Sequence, residues 1–279
     1  MKLILVVLTA LSSFSLHAQY YYNDIIGTAE ITERMKMYTA NKVQSVTVTG
    51  FDQQGMKSTD FNEWQEVKEN GKALKITTRN GLTKTILYYR FDAAGRLASL
   101  IDSSLGVQSV ATYKYDATGK LIRIENVMQD TATEFNETEI HQWNYNAAGK
   151  PEKLWRILNA KDSTEIRFMP DEKGNVADEQ VYKRGKGSDP VYYYYDDNNR
   201  LTDIVRFNKM ANRLLPDIMF EYDDSNRVIQ KITTLSSRNL GYLIWRYVYN
   251  DKGLKTKEAL FDKDKQLTGK IDYQYSFGQ

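Results

Sequence analysis

The chain contains no cysteine and almost no histidine. None of its 279 residues is cysteine, and the two histidines are His17 and His141. The missing thiols exclude disulfides, thiolate catalysis and cysteine-ligated zinc. A Ser-His-Asp triad would depend on His141 alone, because His17 lies in a segment that we expect to be removed. We therefore predict a protein that is not an enzyme, with no catalytic residue, no metal site and no cofactor.

The chain also lacks an excess of charge of either sign. It has 38 Lys and Arg against 36 Asp and Glu, spread along the whole sequence. A nucleic-acid binder needs a basic face that displaces counterions from phosphates, so we expect no nucleic-acid partner. With 41% hydrophobic and 27% charged residues, the composition is that of a globular protein.

The first 18 residues have the layout of a secretory signal peptide. Met1 and Lys2 form a short positive region, residues 3–14 are largely apolar, and Ala18 is the small residue at the cleavage position. The apolar run is shorter than the ~20 residues that span a bilayer. We predict residues 1–18 as a signal peptide, no transmembrane segment after cleavage, and a secreted, periplasmic or outer cell-envelope location.

A short motif recurs through the rest of the chain. It consists of two aromatic residues around one variable residue, then Asp or Asn, two variable residues, Gly or Asn, often Lys or Arg, and an aliphatic residue. Clear copies are YRFDAAGRL, YKYDATGKL, WNYNAAGKP, YYYDDNNRL and FEYDDSNRV. YVYNDKGLK fits with its aliphatic residue one place early, and FMPDEKGNV and VTGFDQQGM are weaker copies. From YRFDAAGRL to YVYNDKGLK, successive copies are 24 to 30 residues apart, which accommodates two strands and two connections.

The motif has the chemistry of a hairpin turn. An Asp or Asn side chain accepts backbone N–H groups from the following residues, and three positions later the backbone must adopt a positive φ. Gly and, less readily, Asn adopt that conformation at low cost. The predicted structural turn residues are Asp92, Gly95, Asp116, Gly119, Asn146, Gly149, Asp171, Gly174, Asp196, Asn199, Asp223, Asn226, Asn250 and Gly253.

The residues beside these turns alternate as strand residues do. Tyr113 and Tyr115 share one face while Lys114 takes the other. We predict an all-β fold in residues 43–279, an elongated, curved antiparallel sheet of repeated β-hairpins with an aromatic inner face. The repeat does not determine whether the sheet stays open or closes.

YKYDATGKL and YYYDDNNRL resemble the YD repeats, or Rhs-type repeats, of secreted bacterial surface proteins and polymorphic-toxin shells. The resemblance covers residues 43 to the C-terminus and implies a strand-turn-strand repeat in a long twisted sheet. In large members of that group the sheet spirals into a hollow shell. About eight copies are too few to enclose a protein cargo, and the chain ends in another strand-like run, IDYQYSF. The shell-and-cargo function is therefore not transferred to this chain.

Residues 19–42 are predicted as a lead segment and a capping helix. Ile31, Met35 and Tyr38 recur at helical spacing, in a helix expected to begin near Thr28. We expect this helix to cover the exposed edge of the first strand, since a free sheet edge invites aggregation. The alternative is a helix that binds a partner.

Few side chains offer binding chemistry. The repeated Asp residues are explained by their turns, so they do not indicate paired catalytic carboxylates. His141 is interpreted as a half-exposed strand residue. Trp155, Tyr192 and Tyr194 lie outside the aromatic register of the motif, and we predict them as possible ligand-binding aromatics on an outer surface; the alternative is that they cover core or neighbouring strands.

These observations predict a non-catalytic exported repeat protein that acts as a cell-envelope or extracellular scaffold or binding module. Its partner would be an unidentified protein or glycan. Two alternatives remain open: a carbohydrate-binding module that uses exposed aromatics, and an accessory protein of a toxin or secretion system.

Overall fold

The computed structural model describes residues 20–104, 106–130, 136–235 and 241–278. The predicted signal peptide, residues 1–18, lies outside them. The described residues form one α-helix, one 3-10 turn at Glu69–Gly71 and nineteen strands. These elements are α1 (Asn23–Ala40), β1 (Val43–Asp52), β2 (Lys57–Lys68), β3 (Ala73–Asn80), β4 (Thr83–Phe91), β5 (Leu97–Ser104), β6 (Val107–Tyr115), β7 (Leu121–Asp130), β8 (Asn136–Tyr145), β9 (Pro151–Leu158), β10 (Asp162–Pro170), β11 (Val176–Lys183), β12 (Lys186–Gly187), β13 (Val191–Tyr195), β14 (Leu201–Asn208), β15 (Arg213–Tyr222), β16 (Val228–Thr234), β17 (Tyr242–Tyr249), β18 (Lys255–Phe261) and β19 (Leu267–Phe277).

The sheet closes on itself. Apart from β12, each strand pairs antiparallel with the strands before and after it along the chain, and β1 pairs with both β2 and β19. The two-residue β12 pairs only with the end of β11, which also pairs with β13, so eighteen strands form the ring. The prediction of an all-β antiparallel sheet with one helix is confirmed. The prediction of an elongated curved sheet was wrong in shape, because the two edges that it would leave free satisfy each other's backbone groups.

Alternation along the strands separates an inner from an outer face. Across the closing seam, Val48 of β1 lies opposite Tyr273 of β19, and both point inward. The next residues along, such as Thr49 and Asp272, point outward. The inner face carries the aromatic and aliphatic residues of the motif, as the sequence indicates.

Helix α1 lies inside the closed sheet. The buried residues Ile31, Met35 and Tyr38 pack in one cluster with inward residues of β1 to β5 and β19 and with Leu254, which precedes β18. Near its other end, Asp24 contacts His141 of β8. An 18-residue helix is about 27 Å long, so α1 extends through the interior between these two sets of contacts.

The helix itself was predicted, but its role was not. It begins at Asn23 rather than near Thr28, and no free first-strand edge exists for it to cover. Tyr20, Tyr21 and Tyr22, which precede the helix, pack into a second interior cluster that contains Trp143 and Phe168. The N-terminal segment thus forms the centre of the core rather than a cap on its edge.

Candidate functional site

The turn residues predicted from the motif all lie in hairpin turns. Eight motif positions have a positive φ, at Gly55 (81°), Gly95 (77°), Gly119 (87°), Gly149 (72°), Gly174 (81°), Asn199 (59°), Asn226 (61°) and Gly253 (75°). At Asp116 the carboxylate accepts the N–H groups of Thr118 and Lys120 at 2.8 and 2.9 Å. These donors hold the pKa of Asp116 below its ordinary value. Because strand direction alternates, all of these turns except the one at Gly55 lie at the same end of the barrel.

The motif tyrosine that precedes the Asp or Asn links each repeat to the one before it. The Tyr145 hydroxyl donates to the Leu121 carbonyl oxygen at 2.7 Å. The same bond joins Tyr115 to Leu97, Tyr195 to Val176, Tyr222 to Leu201 and Tyr249 to Val228, at 2.7 to 3.0 Å. Tyr275 of β19, which lies outside the motif, makes the corresponding bond to Lys255 at 2.6 Å. This bond explains the tyrosine, because phenylalanine would leave the half-buried carbonyl without the donor.

The motif Lys or Arg contacts the following repeat. The guanidinium of Arg96 lies 4.6 Å from the ring centroid of Tyr115, and that of Arg200 lies 4.8 Å from the ring of Tyr222. Arg200 also donates to the backbone carbonyl of Asp223 at 3.1 Å. Each motif therefore binds its neighbour, so these residues stabilise the ring of repeats.

His141 is buried inside the barrel rather than half-exposed. It is 6% exposed, with Nδ1 2.7 Å from the Asp24 carboxylate and Nε2 3.0 Å from Glu139. Arg156 donates to Glu139 at 2.7 Å, and the Trp143 indole donates to Asp24 at 3.2 Å. The interpretation of His141 as a half-exposed strand residue was wrong, because its strand turns this position toward α1.

This cluster has a definite charge state. Burial lowers the pKa of His141, but the carboxylates of Asp24 and Glu139 outweigh it and raise the pKa to about 9. Burial raises the pKa of Glu139, yet hydrogen bonds from His141 and Arg156 bring it down to about 2. Both ring nitrogens of His141 are thus engaged by carboxylates, and the cluster binds the helix to the wall.

A second buried carboxylate binds the segment before the helix. Glu179 of β11 is 1% exposed and accepts the backbone N–H groups of Tyr21 and Tyr22 at 3.0 and 2.8 Å. Burial raises its pKa to about 7, against the effect of these donors. Further along, the Tyr20 hydroxyl and Arg206 both donate to Asp217 of β15.

The far end of the helix is held by a polar chain on β2. The Tyr38 hydroxyl donates to Gln65 at 2.7 Å, and Gln65 donates to Glu63 at 2.8 Å. Thr78 of β3 donates to the other oxygen of Glu63 at 2.8 Å. Burial raises the pKa of Glu63. The interior polar groups therefore position α1 from several sides.

The three predicted aromatics lie on the outer face, but the structure does not bring them into one site. Trp155 of β9 is 36% exposed and Tyr194 of β13 is 48% exposed, whereas Tyr192 is half-buried. Strands β10 and β11 separate Trp155 from the two tyrosines, and the register displaces Tyr192 a further four residues along the sheet. The Lys153 ammonium lies 5.7 Å from the Trp155 ring centroid and 2.9 Å from Glu165, so that ring already has a charged neighbour.

The sequence analysis missed an outward tryptophan at Trp64. This residue of β2 is 42% exposed and lies between Thr47 of β1 and Thr77 of β3. A shallow depression of about 330 Å³ surrounds it. The sequence does contain a signal for it. Asn62 and Glu66, two residues before and after Trp64, share its strand face, so an aromatic side chain lies on a face that is otherwise polar.

Two classes of feature are missing from the part of the chain that the structure describes. No helix there is long and apolar enough to cross a membrane. Within the same residues, no three His, Asp or Glu side chains are grouped so that they could hold a metal ion.

Comparison with known proteins finds structural similarity alone. No family model matches the chain, and no curated protein matches its sequence. A porin-like protein from Bacteroides uniformis matches 84% of this chain and 98% of its own, with 10% identity and a TM-score of 0.43. A porin-like protein from Bacteroides vulgatus matches 85% and 99%, with 11% identity and a TM-score of 0.32. The TcdB2-TccC3-Cdc42 structure matches 77% of this chain with 13% identity and a TM-score of 0.35, and this chain covers 12% of the length of the matched chain.

Proposed function

We propose that this chain is an exported, non-catalytic scaffold that binds another macromolecule through the outer face of its closed sheet. The supporting observation is the position of α1. The helix occupies the interior, and the charged groups around it, such as His141 and Glu179, are engaged with the helix and the segment before it. Binding chemistry that remains accessible is on the outside, where Trp64 and Tyr194 are exposed.

The repeat organisation suits such a role. Hydrogen bonds between successive tyrosines and carbonyls, with stacked cations beside them, make a wall whose outer side chains are held at fixed strand spacing. The resemblance to YD repeats and the predicted signal peptide support export to the periplasm, the outer envelope or the medium. The turn carboxylates serve the hairpins, which supports the absence of catalysis.

The test is capture followed by footprinting. The mature chain, residues 19–279, is immobilised and incubated with the cell-envelope fraction of its source organism, and the complex is exposed to hydroxyl radicals. We expect protection of outward residues such as Trp64 and Tyr194, with inward residues such as Tyr113 equally unreactive in both states. Protection confined to inward residues, or no captured partner, would reject the proposal.

A further inference from the structure

The outer side chains around Trp64 form a small polar platform. Thr47 and Thr77 lie directly opposite Trp64 on the two neighbouring strands, whose backbones are about 4.8 Å from that of β2. A hydroxyl-bearing side chain therefore lies on each side of the indole. One step along the sheet, Ser45 of β1 lies opposite Glu66 of β2. The indole is thus the flat centre of a surface whose edge carries hydrogen-bonding groups.

The charge at this edge is largely compensated. The Glu66 carboxylate is 2.6 Å from the Lys68 ammonium and 3.8 Å from that of Lys75. The hydrogen bond from Lys68 lowers the pKa of Glu66, so the carboxylate is an ionised acceptor. A ligand on this platform would contact one carboxylate acceptor and several hydroxyl groups, with no excess of positive or negative charge. Such a surface suits an uncharged polar ligand better than a polyanion.

A sugar ring has the matching chemistry. A pyranose presents a face of C–H groups that stacks on an indole, and a rim of hydroxyls that hydrogen-bond to groups beside it. The depression is about 330 Å³, at the small end of the ~300–1,000 Å³ of ligand sites, and it is open to the outer surface. A shallow, open site accommodates one or two units of a longer chain.

Trp155 provides an internal comparison. Its ring carries the Lys153 ammonium at 5.7 Å, and Glu165 beside it binds both Lys153 and Arg167. A sugar stacking there would displace an ion-paired cation. Trp64 has the same outward orientation and similar exposure but hydroxyl-bearing neighbours on both sides.

We propose that the surface formed by Ser45, Thr47, Trp64, Glu66 and Thr77 binds a neutral oligosaccharide of pyranose units. This inference rests on the proposed function, because it uses the outer face, and it adds a ligand class and a site. Trp64 stacks on the sugar face, the Thr47 and Thr77 hydroxyls bind its rim, and Glu66 accepts a sugar hydroxyl.

The probes are cellohexaose, chitohexaose, laminarihexaose, maltohexaose and mannohexaose, titrated into the mature chain by calorimetry. The variants are Trp64→Ala, Trp64→Phe and, as the matched control, Trp155→Ala, each checked for wild-type far-ultraviolet circular dichroism. We expect one or more hexaoses to bind, with affinity at least ~10-fold weaker in Trp64→Ala, partly retained in Trp64→Phe and within ~2-fold of wild type in Trp155→Ala.

Three outcomes overturn the site: no hexaose binds, Trp64→Ala binds as well as the wild type, or Trp155→Ala is the variant that loses binding. The envelope-capture experiment distinguishes failure of the sugar site from failure of the proposed function. If envelope capture persists when no hexaose binds, a protein partner is indicated and only the sugar site falls. If capture also fails, both proposals fall.

Discussion

Asp24 of α1 binds the imidazole of His141 on β8 across 117 residues of chain, at 2.7 Å. This contact joins the start of the helix to the wall and makes His141 a doubly paired cation, with Glu139 on its other nitrogen at 3.0 Å. It also gives folding a pH dependence that sequence alone does not indicate.

The folded protein should lose stability at alkaline pH through His141. Its pKa is about 9 in the fold against 6.5 in the unfolded chain, so the contribution is fully present below pH 6.5 and is lost as the pH rises to 9. We expect the advantage in unfolding free energy of the wild type over His141→Gln to fall by about 2 kcal/mol between pH 7 and pH 9.5. Urea unfolding at both pH values measures it. An advantage that is equal at the two pH values would contradict the pairing.

The tyrosine bonds between repeats can be tested singly. Tyr145→Phe removes the donor to the Leu121 carbonyl and should lower the unfolding free energy by about 1 kcal/mol. Tyr194→Phe is the control, since that side chain is exposed on the outer face, and we expect a change under about 0.5 kcal/mol. Chemical unfolding compares the two variants. Equal effects of the two substitutions would show that the hydrogen bond from the Tyr145 hydroxyl adds no stability beyond the packing of the aromatic ring.

A Gly→Ala substitution should have opposite effects on stability in a hairpin turn and in helix α1, because the backbone conformation differs. Gly119→Ala should destabilise by about 1 kcal/mol or more, because its φ of 87° disfavours any Cβ. Gly27→Ala, inside α1, should stabilise by up to about 1 kcal/mol, since an added Cβ would meet Asn23 at an ordinary 3.8 Å. Thermal unfolding measures the change in midpoint of each variant relative to the wild type, which should be negative for Gly119→Ala and positive for Gly27→Ala. Two shifts of the same sign would count against the turn geometry.

Lys265 also has a positive φ, so replacing it with glycine should stabilise the protein. Lys265 has a φ of 59° in the turn that follows β18, where Asp262 accepts the Lys265 N–H at 3.0 Å. Lys265→Gly should raise the unfolding free energy by about 0.5–1 kcal/mol by removing that strain. The same unfolding assay measures it, and a destabilised variant would mean that the lysine side chain contributes contacts that outweigh the strain.

Closure of the sheet can be trapped covalently, because the chain has no cysteine of its own. Thr49 and Asp272 face each other across the β1–β19 seam. We expect the double variant Thr49→Cys, Asp272→Cys to form an intramolecular disulfide on mild oxidation and to migrate faster in non-reducing gels. The control pair, Thr49→Cys with Gln142→Cys on β8, should remain reduced. Equal cross-linking of both pairs, or of neither, would contradict the closed ring.

Much of the local structure could be predicted from the sequence. The Asp and Gly spacing indicates the hairpins, and Ile31, Met35 and Tyr38 indicate the helix, because these signals depend on residues that are close in the chain. Closure could not be predicted, since β1 and β19 have the same alternation as any other strand and the motif carries no information about curvature. The partners of Asp24 and Glu179 depend on that closure, and so His141 was placed on the wrong side of its strand. Trp64 left a weak signal, one aromatic side chain on a polar face.

Because α1 contacts β8 through Asp24 and β2 through Tyr38, two strands that lie six positions apart in the ring of eighteen, the helix constrains the number of hairpins. An open array of repeats gains or loses a unit at little cost, but removing one hairpin from a ring narrows its circumference. A ring with fewer strands would leave less space for the helix. A ring with more strands would break the hydrogen bond between Asp24 and His141 or the one between Tyr38 and Gln65. A change in the number of hairpins would therefore require a matching change in the length or position of α1.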